Sequence, residues 1–370
     1  MCVKGELQLS FLQVLPLPGE IRDRTCIELQ PDLQGSLWGR GWVVSERGKS
    51  HEHLNPTTYR RESVTLRDER YTYHLNMSQF RADFPHLQTY NCSVKLPPRT
   101  QPKMGNPKPT LIMAIKSHPG STARRQAARQ TWARGVEVDG YSVRPIFLIA
   151  QAESWGQMEL VRLESQEFGD ILQWDFTEGH HNLSLKERCF LEWLNLNVPE
   201  VEFIFKGDDD EYVNPTAIVR YIKEHGSSPL TLHGRLRPHS DVMRSTKYAI
   251  SEALYPYDTY PSFLSGGGFL FPGASVKRLH EVAQKIPVFP LDDVYFGFLA
   301  LAANLTYRHD GHFYVWGLAF NACKYREALV VHGIGPERLV TVWAEVQKAQ
   351  CQGGQGGQVG QESNLPTNYD

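Results

Sequence analysis

From about residue 108 onward the chain alternates short apolar runs with amphipathic stretches. Leu111 to Ile115, Pro145 to Ala150, Ile171 to Phe176 and Phe203 to Phe205 have the length and bulk of buried strands. Ala123 to Trp132, Trp155 to Phe168 and Ser184 to Asn195 carry helical periodicity, and in the last of these Leu185, Cys189, Phe190, Trp193 and Leu194 share one face. Alternation of this kind predicts βαβ units and therefore an α/β fold around a mainly parallel sheet. Phe269-Leu270-Phe271 reads as one more strand.

The pattern differs at both ends. Residues 1–95 are mixed and polar, with dense charge between Arg60 and Arg81, and residues 97–109 hold Pro97, Pro98, Pro102, Pro107 and Pro109, a stiff linker. Three segments are expected: a stem-like extension with its Pro-rich linker over 1–105, a large α/β domain over 106–351, and a Gln/Gly-rich tail over 352–370 with the composition of disorder. No internal repeat is present. A membrane span needs about 18 apolar residues. The best candidate, Leu7 to Leu17, is interrupted by Gln8, Ser10, Gln13 and Pro16, and it lacks the basic start and cleavage site of a signal peptide.

Composition narrows the classes. With 39 basic and 41 acidic residues the formal charge is -2, so there is no electrostatic case for a nucleic-acid partner. Six cysteines without a Cys-x-x-Cys pair give no zinc signature, and their even number is compatible with disulfides. Asn-x-Ser/Thr acceptors at Asn76, Asn91, Asn182 and Asn304 are compatible with passage through the secretory pathway.

Candidate chemistry concentrates where an apolar strand stops in charge, at Lys206-Gly207-Asp208-Asp209-Asp210-Glu211-Tyr212. Three adjacent carboxylates at a strand end suit a hard divalent cation and, through it, a phosphate; the alternative is a solvated acidic turn. The loop Ser117 to Ser121 leads into a helix bearing Arg124, Arg125 and Arg129 without Gly-x-Gly-x-x-Gly, so the arginines either face a diphosphate or form a solvated basic face. Gly266 to Gly268 is followed by no Lys-Ser/Thr, which excludes a phosphate-binding P-loop. It reads either as a place where a sugar approaches the backbone or as a β-bulge. His332, after Val330-Val331, is either a satisfied core histidine or a ligand.

Taken in order, these pieces resemble a known family. Lys206-Gly207-Asp208-Asp209-Asp210, Lys247-Tyr248, Tyr260-Pro261 with the triple glycine, and Asp292-Asp293-Val294-Tyr295 form one series. Ile115-Lys116-Ser117 and Arg124 to Trp132 lie upstream of it, and Cys323-Lys324-Tyr325, Val331-His332 and Val342-Trp343 downstream. The set is similar to the inverting β-1,3-glycosyltransferases over roughly residues 108–351. That resemblance implies a GT-A-type, Rossmann-like nucleotide-sugar transferase fold and makes 106–351 the catalytic domain. It implies Mn²⁺ or Mg²⁺ held by Asp210 and His332, and Asp293 as general base. A UDP-sugar would lie against Lys116, Arg125, Arg129, Lys206, Asp208 and Asp209, and a glycan acceptor against Lys247, Tyr248, Gly267, Gly268 and Asp292. The Lys-Gly-Asp-Asp-Asp and Lys-Tyr pieces are more similar to the N-acetylglucosaminyl branch, implying UDP-GlcNAc as donor and a terminal β-galactose of a protein or lipid glycan as acceptor. A galactosyltransferase using UDP-Gal, a glycan-binding relative without turnover, and a two-carboxylate glycosidase are the rival readings. The family resides in the Golgi lumen as type II membrane proteins, and the resemblance is compatible with a homodimer or a complex with other Golgi glycosyltransferases. A disulfide is expected between Cys323 and Cys351, flanking the segment that carries His332. In extended backbone, Asp292 and Asp293 would point to opposite sides. Glu211-Tyr212 departs from the family's usual Val-Phe, and Ala249-Ile250 stands where a second tyrosine is common.

Overall fold

The computed structural model describes residues 63–99 and 108–351. The remaining extension, Leu7 to Leu17 within it, the middle of the Pro-rich linker and the tail from 352 lie outside the described residues. No helix among the described residues is long and apolar enough to cross a membrane.

A nine-stranded mixed sheet carries the architecture, and the α/β expectation holds. Its centre is a parallel block ordered Phe203–Asp208, Thr110–Lys116, Tyr141–Gln151, Ile171–Thr177. Phe263–Pro272 runs antiparallel beside Phe203–Asp208, and Thr231–Arg237 lies antiparallel beyond it. Thr306–His309 then adds in parallel at that edge. The parallel character foreseen from the sequence is therefore confined to the βαβ half and this one edge pair.

The apolar runs are continuous because both faces of the block are covered. Strand alternation sends Ile112, Ala114 and Leu148 into one core with helix Leu183–Asn197 and helix Asp292–Ala302. Leu111, Met113, Ile115 and Phe147 enter the other, against helices Thr122–Gln130, Pro215–His225 and Pro336–Lys348. Each fully buried large side chain contributes roughly 1.5–3 kcal/mol. Helix Trp155–Phe168 ends where its sequence dictates: Ser154 accepts from the Gln157 amide at its start, and Gly169 closes it with φ 68°.

Residues 63–99, read from the sequence as part of a polar extension, are built into this unit. Tyr73, Leu75, Phe80 and Leu87 are buried in the first core, and Val94–Leu96 pairs with Ile171–Thr177 as an edge strand. Cys92 is bonded to Cys189 of helix Leu183–Asn197, and Cys323 is bonded to Cys351.

Chain order places the site. The strands step outward from Thr110–Lys116 through Tyr141–Gln151 to Ile171–Thr177, and then helix Leu183–Asn197 returns the chain to the other side of the first strand, where Phe203–Asp208 pairs with it. That reversal opens a crevice beyond the carboxyl ends of the two strands. Their last paired residues are Lys116 and Asp208.

Candidate active site

Backbone pairing brings the acidic triplet to the histidine. After Asp208 the chain turns through Asp209 and Asp210 into Glu211–Val213, which pairs antiparallel with Val330–His332 so that His332 lies opposite Glu211. The amides of Gly333 and Ile334 donate to the Asp210 carbonyl at 3.0 and 2.7 Å. His332 Nε2 consequently stands 3.4 Å from Asp210 Oδ1 and 3.8 Å from Asp208 Oδ2. Glu211 joins them from the protein side. Ligand atoms of Asp208, Glu211 and His332 lie within 4.8 Å of one another. Glu211 is wholly buried, and neither carboxylate oxygen has a hydrogen-bond partner. Burial first, and then the charge of Asp208, push its carboxyl well above the ordinary range; the nearby Asp208 amide opposes this without reaching hydrogen-bonding geometry. Carboxylates plus one imidazole, with a buried carboxylate lacking any partner, fit a hard or borderline divalent cation such as Mn²⁺ or Mg²⁺.

Asp209 turns away from this group. It is buried and accepts from Ser117 Oγ at 2.7 Å and Arg124 Nη1 at 3.2 Å, so it ties the turn to the loop after Thr110–Lys116 while edging the cavity. Burial raises its carboxyl, and Ser117 and Arg124 oppose that rise.

The cationic wall is only partly the one foreseen. Lys116 is buried, 3.1 Å from Asp208 Oδ1 and 2.7 Å from Asp292 Oδ2. Arg124, 3.4 Å from Asp210 Oδ2, faces a cavity of about 360 Å³ that Ser117, Lys186, the triplet and His332 also line. Arg125 and Arg129 do not reach it. Successive helical residues are about 100° apart, so Arg125 turns inward and pairs with Glu164 at 2.7 Å while Arg129 pairs with Glu164 and Asp170. Lys206 is likewise corrected: strand alternation points it to the opposite face from Phe205, where it pairs with the buried Glu187 and sits over the Phe269 ring. Arg125, Arg129 and Lys206, three of the six residues expected against the UDP-sugar, are instead interior ion pairs.

A second cavity of about 670 Å³ adjoins the first, with Lys116, His180, Leu183, Asp208 and His332 lining both. Lys247, Tyr248, Gly266, Gly267, Asp292, Asp293 and Trp316 border it. Lys247 lies over the Tyr248 ring at 4.9 Å, and the His180 ring is tilted against Tyr248 with centroids 5.4 Å apart. The ladder between Thr231–Arg237 and Phe263–Pro272 slips between Gly234 and Leu236, opposite the triple glycine, so that segment is a bulge. It also borders the cavity. A Cβ at Gly267 would lie 3.3 Å from His332 Cδ2 and from Val315 Cβ. Gly268 does not line the cavity; its φ of 115° and the 2.9 Å that would separate an added Cβ from Val330 make it a packing glycine.

Asp292 and Asp293 are not extended but form the first turn of helix Asp292–Ala302, where their charge favours the positive end of the helix dipole. Their environments separate them. Although burial pushes upward, Lys116 and then Lys206 hold the Asp292 carboxyl far below the ordinary range. Asp293 Oδ1 accepts only the Val294 amide, at 2.8 Å, and burial together with the Asp292 charge pushes its carboxyl up to about 6.

Several residues here are legible in the sequence only in part. Arg124 was legible as one of three arginines, Ser117 as part of a loop, and Glu211 only as a departure from a pattern. Trp316, 57 % exposed with the Arg237 guanidinium 5.2 Å from its ring, gave no signal. Among the glycosylation acceptors Asn76, Asn91 and Asn304 are exposed, whereas Asn182 is half-buried and donates its amide to the Thr177 carbonyl at 2.8 Å.

A family model described as Galactosyltransferase matches residues 123–311. The UDP-GlcNAc:betaGal beta-1,3-N-acetylglucosaminyltransferase 7 of Rattus norvegicus is 36% identical over 251 residues, 63% of this chain and 63% of that protein. The N-acetyllactosaminide beta-1,3-N-acetylglucosaminyltransferase 4 of Homo sapiens is 35% identical over 244 residues, 64% of this chain and 65% of that protein. The matches thus span a little under two thirds of these relatives' length. Among solved structures, a glycosyltransferase involved in the glycosylation of the major capsid of PBCV-1 aligns with a TM-score of 0.37 and 13% identity, over 64% of this chain and 99% of that one, a likeness too loose to carry an argument.

Proposed function

We propose that this chain, which belongs to the galactosyltransferase family, transfers N-acetylglucosamine from UDP-GlcNAc to the 3-hydroxyl of a terminal β-galactose with inversion. One observation carries the reading. At the crevice where strand order reverses, a cation-compatible acidic group and a second cavity holding Asp293 meet across Lys116.

The residues divide the work. Asp210 and His332, with Asp208 beside them, would hold Mn²⁺ or Mg²⁺. When bound, that ion supplies Lewis-acid neutralisation of charge on the departing diphosphate, worth several kcal/mol. Arg124 is the guanidinium available to the diphosphate by charge-assisted hydrogen bonds. Lys247, Tyr248 and His180 form the wall against which an acceptor sugar rests. Asp293 takes the proton from the acceptor hydroxyl as that oxygen attacks the anomeric carbon opposite the leaving UDP. Its elevated basicity, with the carboxylate still ionised at neutral pH, suits that role. Asp292, neutralised by Lys116, is the weaker base of the two.

The N-acetylglucosaminyl donor rests on the names of the relatives and on the motif resemblance. Two disulfides and exposed Asn-x-Ser/Thr sites support an oxidising, secretory location, the Golgi lumen. A donor panel with a β-galactoside acceptor, run with Mn²⁺ and with chelator, tests the reading. Product chiefly from UDP-GlcNAc and dependent on metal is expected. Preference for UDP-Gal would reassign the donor, and hydrolysis without nucleotide sugar would replace the mechanism with that of a glycosidase.

A further inference from the structure

The backbone of Glu211 is fixed from two sides: its strand pairs with Val330–His332, and its carbonyl accepts the indole N–H of the buried Trp132 at 2.8 Å. Its side chain then occupies space that only a glycine leaves open, since a Cβ on Gly207 would lie 2.2 Å from Glu211 Oε2. The carboxylate is wholly enclosed, without a hydrogen-bond donor on either oxygen. An enclosed carboxylate with no partner is costly to the fold. A cation among Asp208, Glu211 and His332, whose ligand atoms lie within 4.8 Å, would offset that cost.

Resting on the metal-dependent reading above, we infer that Glu211 is a further protein ligand of the same divalent cation. It adds a carboxylate from inside the fold to those of Asp208 and Asp210 and the imidazole of His332. With these groups supplied by the chain itself, the cation is retained without UDP, and nucleotide binds to a preloaded site. A site with fewer protein ligands depends on the diphosphate oxygens to complete it.

Calorimetric titration of Mn²⁺ into the full chain without nucleotide tests this, alongside Glu211→Gln, Glu211→Val and the thermal midpoint of each protein with and without Mn²⁺. The wild type is expected to bind one Mn²⁺ without UDP. Both variants are expected to lose affinity by about tenfold or more and to lose the Mn²⁺-induced rise in midpoint. Their metal-free midpoints should equal or exceed that of the wild type, because a buried carboxyl with no hydrogen-bond partner has been removed. A merely structural Glu211 would instead give variants with lowered metal-free midpoints and unchanged Mn²⁺ affinity, which overturns the inference. Wild-type binding of Mn²⁺ only when UDP is present also overturns it, whatever the variants do, and leaves the metal-dependent transferase reading standing. Absence of Mn²⁺ binding with or without UDP removes both.

Discussion

Replacing Asp293 by Asn is expected to slow the proposed transfer and stabilise the protein together. Asn keeps the shape and still accepts the Val294 amide, so the change removes charge and basicity with little loss of packing. Burial and the neighbouring Asp292 move the Asp293 carboxyl from 3.8 to about 6. That is about two pH units, each equivalent to about 1.4 kcal/mol, so holding the carboxylate ionised costs the folded state up to about 3 kcal/mol at neutral pH. The sign follows from the raised value. Below about pH 4 both folded and unfolded wild type are protonated and the cost is absent; it grows between about pH 4 and 6 and is constant above.

Urea unfolding of both proteins from pH 4 to 8 measures the gap directly. Asp293→Asn should match the wild type at the acid end and exceed it by about 1–3 kcal/mol at pH 7. In the transferase assay kcat should fall by about 10² to 10⁴, with UDP affinity unchanged. Wild-type kcat/KM should decline about tenfold per pH unit below about 6 as the base is protonated. A variant less stable than the wild type at pH 7, or one with near-wild-type turnover, refutes the assignment.

Three further outcomes are expected. Arg124→Ala should weaken UDP binding about tenfold or more, corresponding to a charged hydrogen bond of about 1.5–3 kcal/mol, with a smaller loss of stability because Asp209 keeps its Ser117 donor, as read by calorimetry and melting. Arg125→Met should do the reverse, costing about 3–5 kcal/mol by breaking a buried pair while the folded fraction binds UDP normally; weakened binding with intact stability would return Arg125 to the diphosphate. Opening Cys323–Cys351 with a Cys351→Ala variant should cost about 3–4 kcal/mol and opening Cys92–Cys189 with Cys189→Ala about 4–5 in the chain-entropy model, because the second closes the longer loop; chemical unfolding that ranks them the other way would contradict this.

The βαβ half was legible because its signals are local. A strand covered on both faces must be apolar throughout, as Leu111 to Ile115 and Phe203 to Phe205 are, and the helices between announce themselves by period. Residues 63–99 were not legible because what orders them is remote. The His74 amide donates to the Tyr257 hydroxyl, and Gln88 exchanges two hydrogen bonds with the Val288 backbone. Short strands with an alternating pattern next to Arg67-Asp68-Glu69-Arg70 look like polar extension until those partners are in place.

The same distinction separates the site residues. Motif order carried the acidic triplet, Asp293 and His332 into one crevice, but which arginine faces the cavity depends on helix phase, and which aspartate is basic depends on its neighbours. Lys116 decides the second question. Buried at the end of the central strand, it reaches both Asp208 across the sheet and Asp292 at the start of the helix. Its one positive charge pairs with a carboxylate on each side of the crevice and leaves Asp293, adjacent to Asp292, without an ion pair of its own. The pairing that steadies Asp292 is therefore also what isolates Asp293. Two consecutive aspartates that look equivalent in the sequence become a neutralised anchor and a more basic partner because a lysine 176 residues earlier forms its ion pair with only one of them.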